Sequence, residues 1–270
     1  MDFPGALTDR SEAAYAIVGA PLDASTTFQP GTRFGPERVR QFARSFEDYD
    51  PDTDSYFSAH GVYDHGDIGA VGAIDDAAEY LTFLEGELDA LQADELVPLL
   101  LGGEHTVSVA AVRALEPDVF VCLDAHLDLR EDYAGDPYSH STVTRHALDV
   151  ADRAVILGAR AGSEAEYERA NEADVTIVPP ESVSAWTPAV EGETVYLSVD
   201  IDAVDPGFAP GTGTIEPFGL EPRAVRQVVQ SVAPLASGFD VVEVNDRDNG
   251  QAAALAGKLL RDFVYTHAES

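Results

Sequence analysis

The chain has 270 residues, 45% of them hydrophobic, enough to bury one sizeable core, and a single domain over residues 1–270 is expected. Its 49 acidic and 16 basic residues leave a formal charge of −33, which excludes nucleic acid as a partner on electrostatic grounds. No apolar run is long enough for a membrane span, and the start Met1-Asp2-Phe3-Pro4-Gly5 lacks the basic and apolar regions of a signal peptide, so residence in the cytoplasm, away from membranes, is expected.

Short apolar, β-rich runs alternate with longer helical patterns along the whole chain, the pattern of parallel strands joined by right-handed crossovers. Strands are expected at 14–19, 61–64, 97–101, 119–123, 154–157, 175–178, 194–199 and 240–244, and helical periodicity is clearest over 75–91, 221–235 and 250–267. The Pro/Gly-rich stretch 206–219, between a strand and a helix, reads as a shaped loop. Cys122, the only cysteine, lies in the apolar run 119–123, so an intrachain disulfide is excluded and a small buried hydrophobe is the expected role.

Three segments at the ends of expected strands carry the chemistry. In Leu123-Asp124-Ala125-His126-Leu127-Asp128, alternation along extended backbone would turn Asp124, His126 and Asp128 to one side, and Ser198-Val199-Asp200-Ile201-Asp202 would do the same for Asp200 and Asp202. In Leu101-Gly102-Gly103-Glu104-His105, two glycines permit a sharp turn that places His105 at the mouth of the next helix. Any one of these alone reads as a turn or a cap. Together they fall beyond the carboxyl ends of strands, where open α/β sheets bind ligands. Four aspartates crowded there need compensating charge, and two divalent cations would supply it. The mainly oxygen donor set with two imidazoles suits six-coordinate manganese better than tetrahedral zinc, with cobalt and nickel not separated by affinity order.

These segments resemble the signature motifs of the ureohydrolase family of arginases and agmatinases. The likeness extends to Phe28–Arg40, Asp64-His65-Gly66-Asp67-Ile68 and the long stretch 198–219. It implies the arginase-like three-layer α/β/α sandwich with a central, mainly parallel eight-stranded sheet, usually assembled as a homotrimer or homohexamer. It also implies two manganese ions, one held by His105, Asp124, Asp128 and Asp200, the other by Asp124, His126, Asp200 and Asp202. A hydroxide bridging them would attack the carbon of a guanidino substrate and release urea. By the same likeness Glu243 holds the guanidinium, Asp128 accepts a hydrogen bond from the hydroxide, and His140 acts as general acid or proton shuttle. The chain departs from the family at Ser141, where glycine is usual, and after Glu243, where it reads Val244-Asn245-Asp246-Arg247 without the frequent proline. His60, His65, His146 and His267 lack a carboxylate at ligand spacing and read as surface or packing residues.

Agmatine is the expected substrate, because arginases grip the α-carboxylate with an asparagine where this chain has Arg130, and Asp-Ala-His-x-Asp-Leu-Arg resembles archaeal agmatinases. Glu131, Asp132 or Asp136 are the acids expected to meet agmatine's ammonium. Guanidinobutyrate, aminopropylagmatine and arginine are the alternatives within the family. A single-zinc deacetylase-like amidohydrolase and a non-catalytic paralogue belong to other classes. The full two-metal set weighs against the first, and Glu243 and His140, which a structural metal site does not need, weigh against the second.

The acidic residues are spread along the chain, and Lys258 is the only lysine. Such a shell repels itself in dilute buffer, whereas at about 1 M salt the screening length falls to about 3 Å, so a halophilic protein is expected. Circular dichroism melts between about 3 M and about 0.1 M salt, chosen to span strong and weak screening, should show a falling Tm; an unchanged Tm would sink the inference.

Overall fold

The runs read as strands are apolar on both faces because the sheet they form is covered on both sides. The computed structural model describes residues 1–69, 76–172, 174–190 and 192–270. In chain order its strands are β1 (Tyr15–Ala20), a small antiparallel pair β2 (Tyr49–Asp50) and β3 (Ser55–Tyr56), β4 (Val62–Asp67), β5 (Val97–Gly102), β6 (Val119–Leu123), β7 (Arg153–Leu157), β8 (Val175–Val178), β9 (Val195–Asp200) and β10 (Ala236–Val242). All but the small pair, which the sequence did not announce, join one parallel sheet in the order β4-β1-β5-β10-β9-β6-β7-β8. Every expected strand is present. The largest displacement is in β10, which starts at Ala236 and stops at Val242, because Glu243 takes a left-handed φ of 61° and turns the chain out of the sheet.

Side chains alternate between two apolar layers. Leu99 and Leu101 of β5 and Val119, Val121 and Leu123 of β6 pack with helices α1 (Gly35–Ala43), α7 (Pro222–Val232) and α8 (Gln251–His267). Leu100, Phe120 and Cys122 point the other way, into a layer built with α2 (Ala77–Ala93), α3 (Val107–Leu115) and α4 (Val143–Ala147). Two short helices, α5 (Glu164–Arg169) and α6 (Pro180–Val183), complete the crossovers flanking β8. The result is the expected α/β/α sandwich, and Cys122 is the fully buried small residue that its context implied. Of the helix expected over 75–91, Asp75 lies outside the described residues. The helix runs from Ala77, capped where Asp76 accepts the amide of Glu79.

Connectivity positions the site. Strands β5 and β6 follow one another in sequence but lie two strands apart, with β10 and β9 inserted between them. The loops leaving these four strands therefore diverge from one crevice at the carboxyl edge of the sheet, the place where such folds bind ligands.

One ion cluster ties α1 to the sheet edge. Arg40, 2% exposed, donates from Nε and Nη2 to the two oxygens of Asp64 at 2.8 Å each and from Nη1 to Asp67. Asp64 also accepts the backbone amides of Phe3 and Gly66. The segment Asp64-His65-Gly66-Asp67 is thus a structural clamp. Removing the guanidinium leaves a buried carboxylate without its cation, so Arg40→Ala should cost about 3–5 kcal/mol in urea unfolding at fixed high salt. A loss under about 1 kcal/mol, the level of an exposed pair, would show that the clamp contributes little.

Candidate active site

Four neighbouring strands deliver the polar residues singled out in the sequence, but not by strand alternation. Strand β6 ends at Leu123, so Asp124, His126 and Asp128 all lie beyond it, and β9 ends at Asp200, with Asp202 carried on a 3₁₀ turn, Ile201–Ala203. Extended geometry fails here because each aspartate folds the chain back on itself. Asp124 Oδ1 accepts the amide of His126 at 2.6 Å and Asp200 Oδ1 accepts the amide of Asp202 at 2.8 Å, the same local turn at two strand ends. Asp128 has φ 51° and Glu243 φ 61°, left-handed conformations that are costly for residues with a Cβ and are held here by the surrounding contacts. Asp202 Oδ1 receives the amide of Ala125 at 3.0 Å, and Glu243 Oε1 that of His105 at 2.8 Å, so the turns lock one another.

The six residues expected as ligands come together. His105 Nδ1 lies 3.1 Å from Asp124 Oδ2, 3.0 Å from Asp128 Oδ2 and 3.6 Å from Asp200 Oδ2. His126 Nδ1 lies 2.9 Å from Asp202 Oδ2 and 3.5 Å from Asp124 Oδ1. His105 is 1% exposed, yet its Nδ1 makes no hydrogen bond. A buried nitrogen surrounded by three carboxylates and aligned with none of them is what a shared central cation would produce, so the residues fit a metal site. Asp124 belongs to both groups and can face two ions. Cys122 borders the cluster, its Sγ 3.7 Å from His105 Nε2 and 3.8 Å from Asp124 Oδ2, but burial pushes its thiol pKa up, which disfavours the thiolate that a metal would bind.

The other edge of His105 is fixed from below. Its Nε2 meets Ser198 Oγ at 3.1 Å, and Ser198 donates to Asp240 at 2.6 Å. Asp240 is fully buried and also accepts from Ser108 and Tyr196. Because Ser198 uses its proton on Asp240, it accepts from Nε2–H, which leaves the Nδ1 lone pair directed at the carboxylates.

The electrostatics record an excess of negative charge. Burial, then the charge of Asp124, pushes the Asp128 carboxyl up to about 7, and burial, then Asp202 and Asp124, holds Asp200 well above the carboxylate range. Burial lifts Glu243 to about 8, with Glu104 and Asp202 adding to the shift against the His105 amide. Burial works against the charged forms of Asp124 and His126 as well, but the two histidines hold Asp124 low and Asp202 and Asp124 hold His126 high. A cation at this point would return the raised carboxyls to their charged forms.

Above the cluster is a cavity of about 300 Å³ lined by residues that include His126, Asp128, Asp200, Asp202, Glu243 and His140. His140 sits on a 3₁₀ turn capped by Ser139, and Ser141, the departure from glycine, fits there with its carbonyl accepting from Arg130. Burial, then the positive His126 and His105, lowers the His140 pKa to about 4. After Glu243, Asn245 donates to Gln29 O at 2.8 Å and Asp246 pairs with Arg38 at 2.7 Å, so the lost proline is replaced by polar stitches. The acids expected to meet a distal ammonium do not line the cavity. Glu131 pairs with Arg145, while Asp132 and Asp136 accept turn amides. Glu166 is there instead, 4% exposed, with Oε2 at 3.3 Å from Arg130 Nε. The sequence signal for Glu166 was its capping box, Ser163-Glu164-Ala165-Glu166, which gave no hint of a cavity wall. Arg160, also missed, binds the carbonyls of Gly158, Asp202, Ala203, Glu216 and Pro217 and laces the 206–219 loop to the site. His60, His146 and His267 bond to Ser55, Pro137 and Tyr15, and His65 approaches Glu87, all apart from the cluster.

Comparison with known proteins agrees with this geometry. The model of the arginase family matches residues 13–265. The N(1)-aminopropylagmatine ureohydrolase of Thermococcus kodakarensis is 35% identical over 96% of this chain and 92% of its own. The agmatinase of Pyrococcus horikoshii is 34% identical over 96% and 93%. The crystal structure of agmatine ureohydrolase of Thermoplasma volcanium superposes with a TM-score of 0.93 at 32% identity, covering 98% of this chain and 94% of that one. With a family match across nearly its whole length and the same fold at this similarity, the chain belongs to the arginase family, binuclear metal hydrolases that act on guanidino C–N bonds.

Proposed function

We propose that this protein hydrolyses a guanidino compound bearing a distal amine, agmatine above all, to urea and the free amine, with two manganese ions held by His105, Asp124, His126, Asp128, Asp200 and Asp202. The observation that carries the reading is the joining, in one 300 Å³ cavity, of a carboxylate-imidazole cluster, an acid poised for a guanidinium and a cavity wall unsuited to an α-carboxylate. Bound there, two divalent cations supply Lewis acidity and draw the pKa of water towards neutrality. Glu243 offers the guanidinium its Oε2, since Oε1 is spent on the His105 amide. Asp128 and Asp200 orient the nucleophilic water from the cavity floor. His140, in the wall of the cavity, takes up the proton the water loses and passes it to the nitrogen of the departing amine, so that water and guanidinium become urea and an ammonium. The names of the relatives, an agmatinase and an aminopropylagmatine ureohydrolase, support the substrate class.

Arg130 occupies the position where arginases carry the asparagine that grips the α-carboxylate, and its pairing with Glu166 answers how a cation is accommodated there. The pair is charge-balanced, and the arginine also lies over the Tyr133 ring at 5.4 Å. A distal ammonium then has Glu166 as its acid and Tyr133 as its aromatic face. A carboxylate would have to compete with Glu166 for Arg130.

Two measurements check the reading. His126→Ala and Asp202→Ala should lose manganese and nearly all turnover while retaining the wild-type circular dichroism spectrum, because the sheet core is apolar; either variant keeping two equivalents of manganese and full turnover would refute the assignment. In high salt with manganese, kcat/KM for agmatine should exceed that for arginine by on the order of a hundredfold, the scale of leaving a charged group unmatched. Including guanidinobutyrate and aminopropylagmatine in the panel tests the far end of the pocket, and arginine outpacing agmatine would overturn the substrate class.

A further inference from the structure

Glu104 is fully buried beside His105, and its carboxylate is bonded to the segment after β1 and to Thr106. It accepts Ser25 N at 2.8 Å, Ser25 Oγ at 2.8 Å, Thr106 Oγ1 at 2.8 Å and Thr26 Oγ1 at 3.4 Å. A buried carboxylate carries a desolvation cost, and here four short-range donors offset it, three of them from one segment. The backbone holds the same segment close: Gly103 and Glu104 donate to Ala20 O and Leu22 O at 2.7 Å each. Only glycine fits at 103, since a Cβ there would lie 1.9 Å from Leu22 O. Further along, Asp23 accepts the Gly31 amide and pairs with Arg33, closing the loop at its other end.

What this anchored segment touches is His140. Ser25 Oγ, which gives its proton to Glu104, accepts the His140 amide at 2.9 Å, and Thr27 Oγ1 lies 3.2 Å from His140 Nε2. Thr27 and His140 both line the cavity above the cluster. A proton carrier changes state during each turnover, and a hydroxyl that accepts from Nε2–H keeps that contact in both states while it leaves the Nδ1 lone pair free to take up and release the proton.

We propose that the Ser25–Thr27 segment, clamped by Glu104, is the positioning element for His140, and that the Thr27 hydroxyl holds Nε2 in both protonation states. The inference rests on the reading of His140 as the proton carrier. Thr27 is then a positioning residue that acts through the imidazole, and Glu104 couples the turn bearing His105 to the turn bearing His140.

The test compares Thr27→Val, which keeps the shape but removes the hydroxyl, with Thr27→Ser, which keeps the hydroxyl. With the best substrate of the panel, Thr27→Val should lower kcat about tenfold, the scale of one lost hydrogen bond in the transition state, with KM and manganese content unchanged, and Thr27→Ser should restore most of the loss. In a His140→Asn background, Thr27→Val should cost nothing further. Glu104→Gln should lower kcat in the same way with both metals retained, and Ser25→Ala removes the bond to the His140 amide should the glutamine variant not fold. If Thr27→Val leaves kcat unchanged, or costs the same tenfold in the His140→Asn background, the positioning role is overturned while that of His140 stands. Full turnover by His140→Asn would instead remove the reading of His140, and this inference with it.

Discussion

Crowding of like charge governs this molecule at its centre. Four aspartates, a glutamate and two histidines are gathered beyond the ends of four adjacent parallel strands, almost all withdrawn from water. Carboxylates in that setting repel one another and lose hydration, so they persist only where backbone amides, imidazoles or cations compensate. The protein supplies the first two directly. Asp124 and Asp200 share one design, a local turn in which Oδ1 receives the amide two residues on, and Glu243 spends its Oε1 instead on the amide of His105 from a neighbouring strand end. The orphaned Nδ1 of His105 marks where that compensation stops and where a metal would fit.

Holding such turns in place demands strong, directional support from outside the cluster, and charged side chains provide it. Arg160 binds five carbonyls of the loops around Asp202, Arg40 fastens α1 to Asp64 and Asp67, and Glu104 gathers the loop after β1. All but one of the basic residues are arginine. A planar group with five donors can lace carbonyls and grip carboxylates bidentately, which a lysine ammonium cannot do. In a chain with few cations, each is used where geometry as well as charge is needed.

The cavity wall shows the same economy. Arg130 points into a site proposed to receive a cationic substrate, an arrangement that is unfavourable until Glu166 is included. Glu166 already caps α5 through Ser163 and receives the Leu129 amide, so its orientation is set by local structure before any substrate arrives. On the proposed reading, the acid that meets the far end of the substrate is one fixed by a helix cap.

The sequence alone determined the alternation of strands and helices, the location of all eight strands of the sheet and the identity of the residues that meet in the cluster. Those features are written locally: apolar runs of strand length, and acids and histidines of fixed spacing at their ends. How these residues converge was not legible there. Alternation along a strand predicted their common face, whereas turns closed by Asp124 and Asp200 and left-handed backbone at Asp128 and Glu243 achieve it. The tertiary structure also decided which acid lines the cavity beside Arg130, since Glu131, Asp132 and Asp136 are near Arg130 in sequence while Glu166 is near it in space. It alone brought Thr27 to His140 and Ser198 with Asp240 to His105, because a hydrogen bond between segments far apart in the chain leaves no periodicity or spacing in the sequence that makes it.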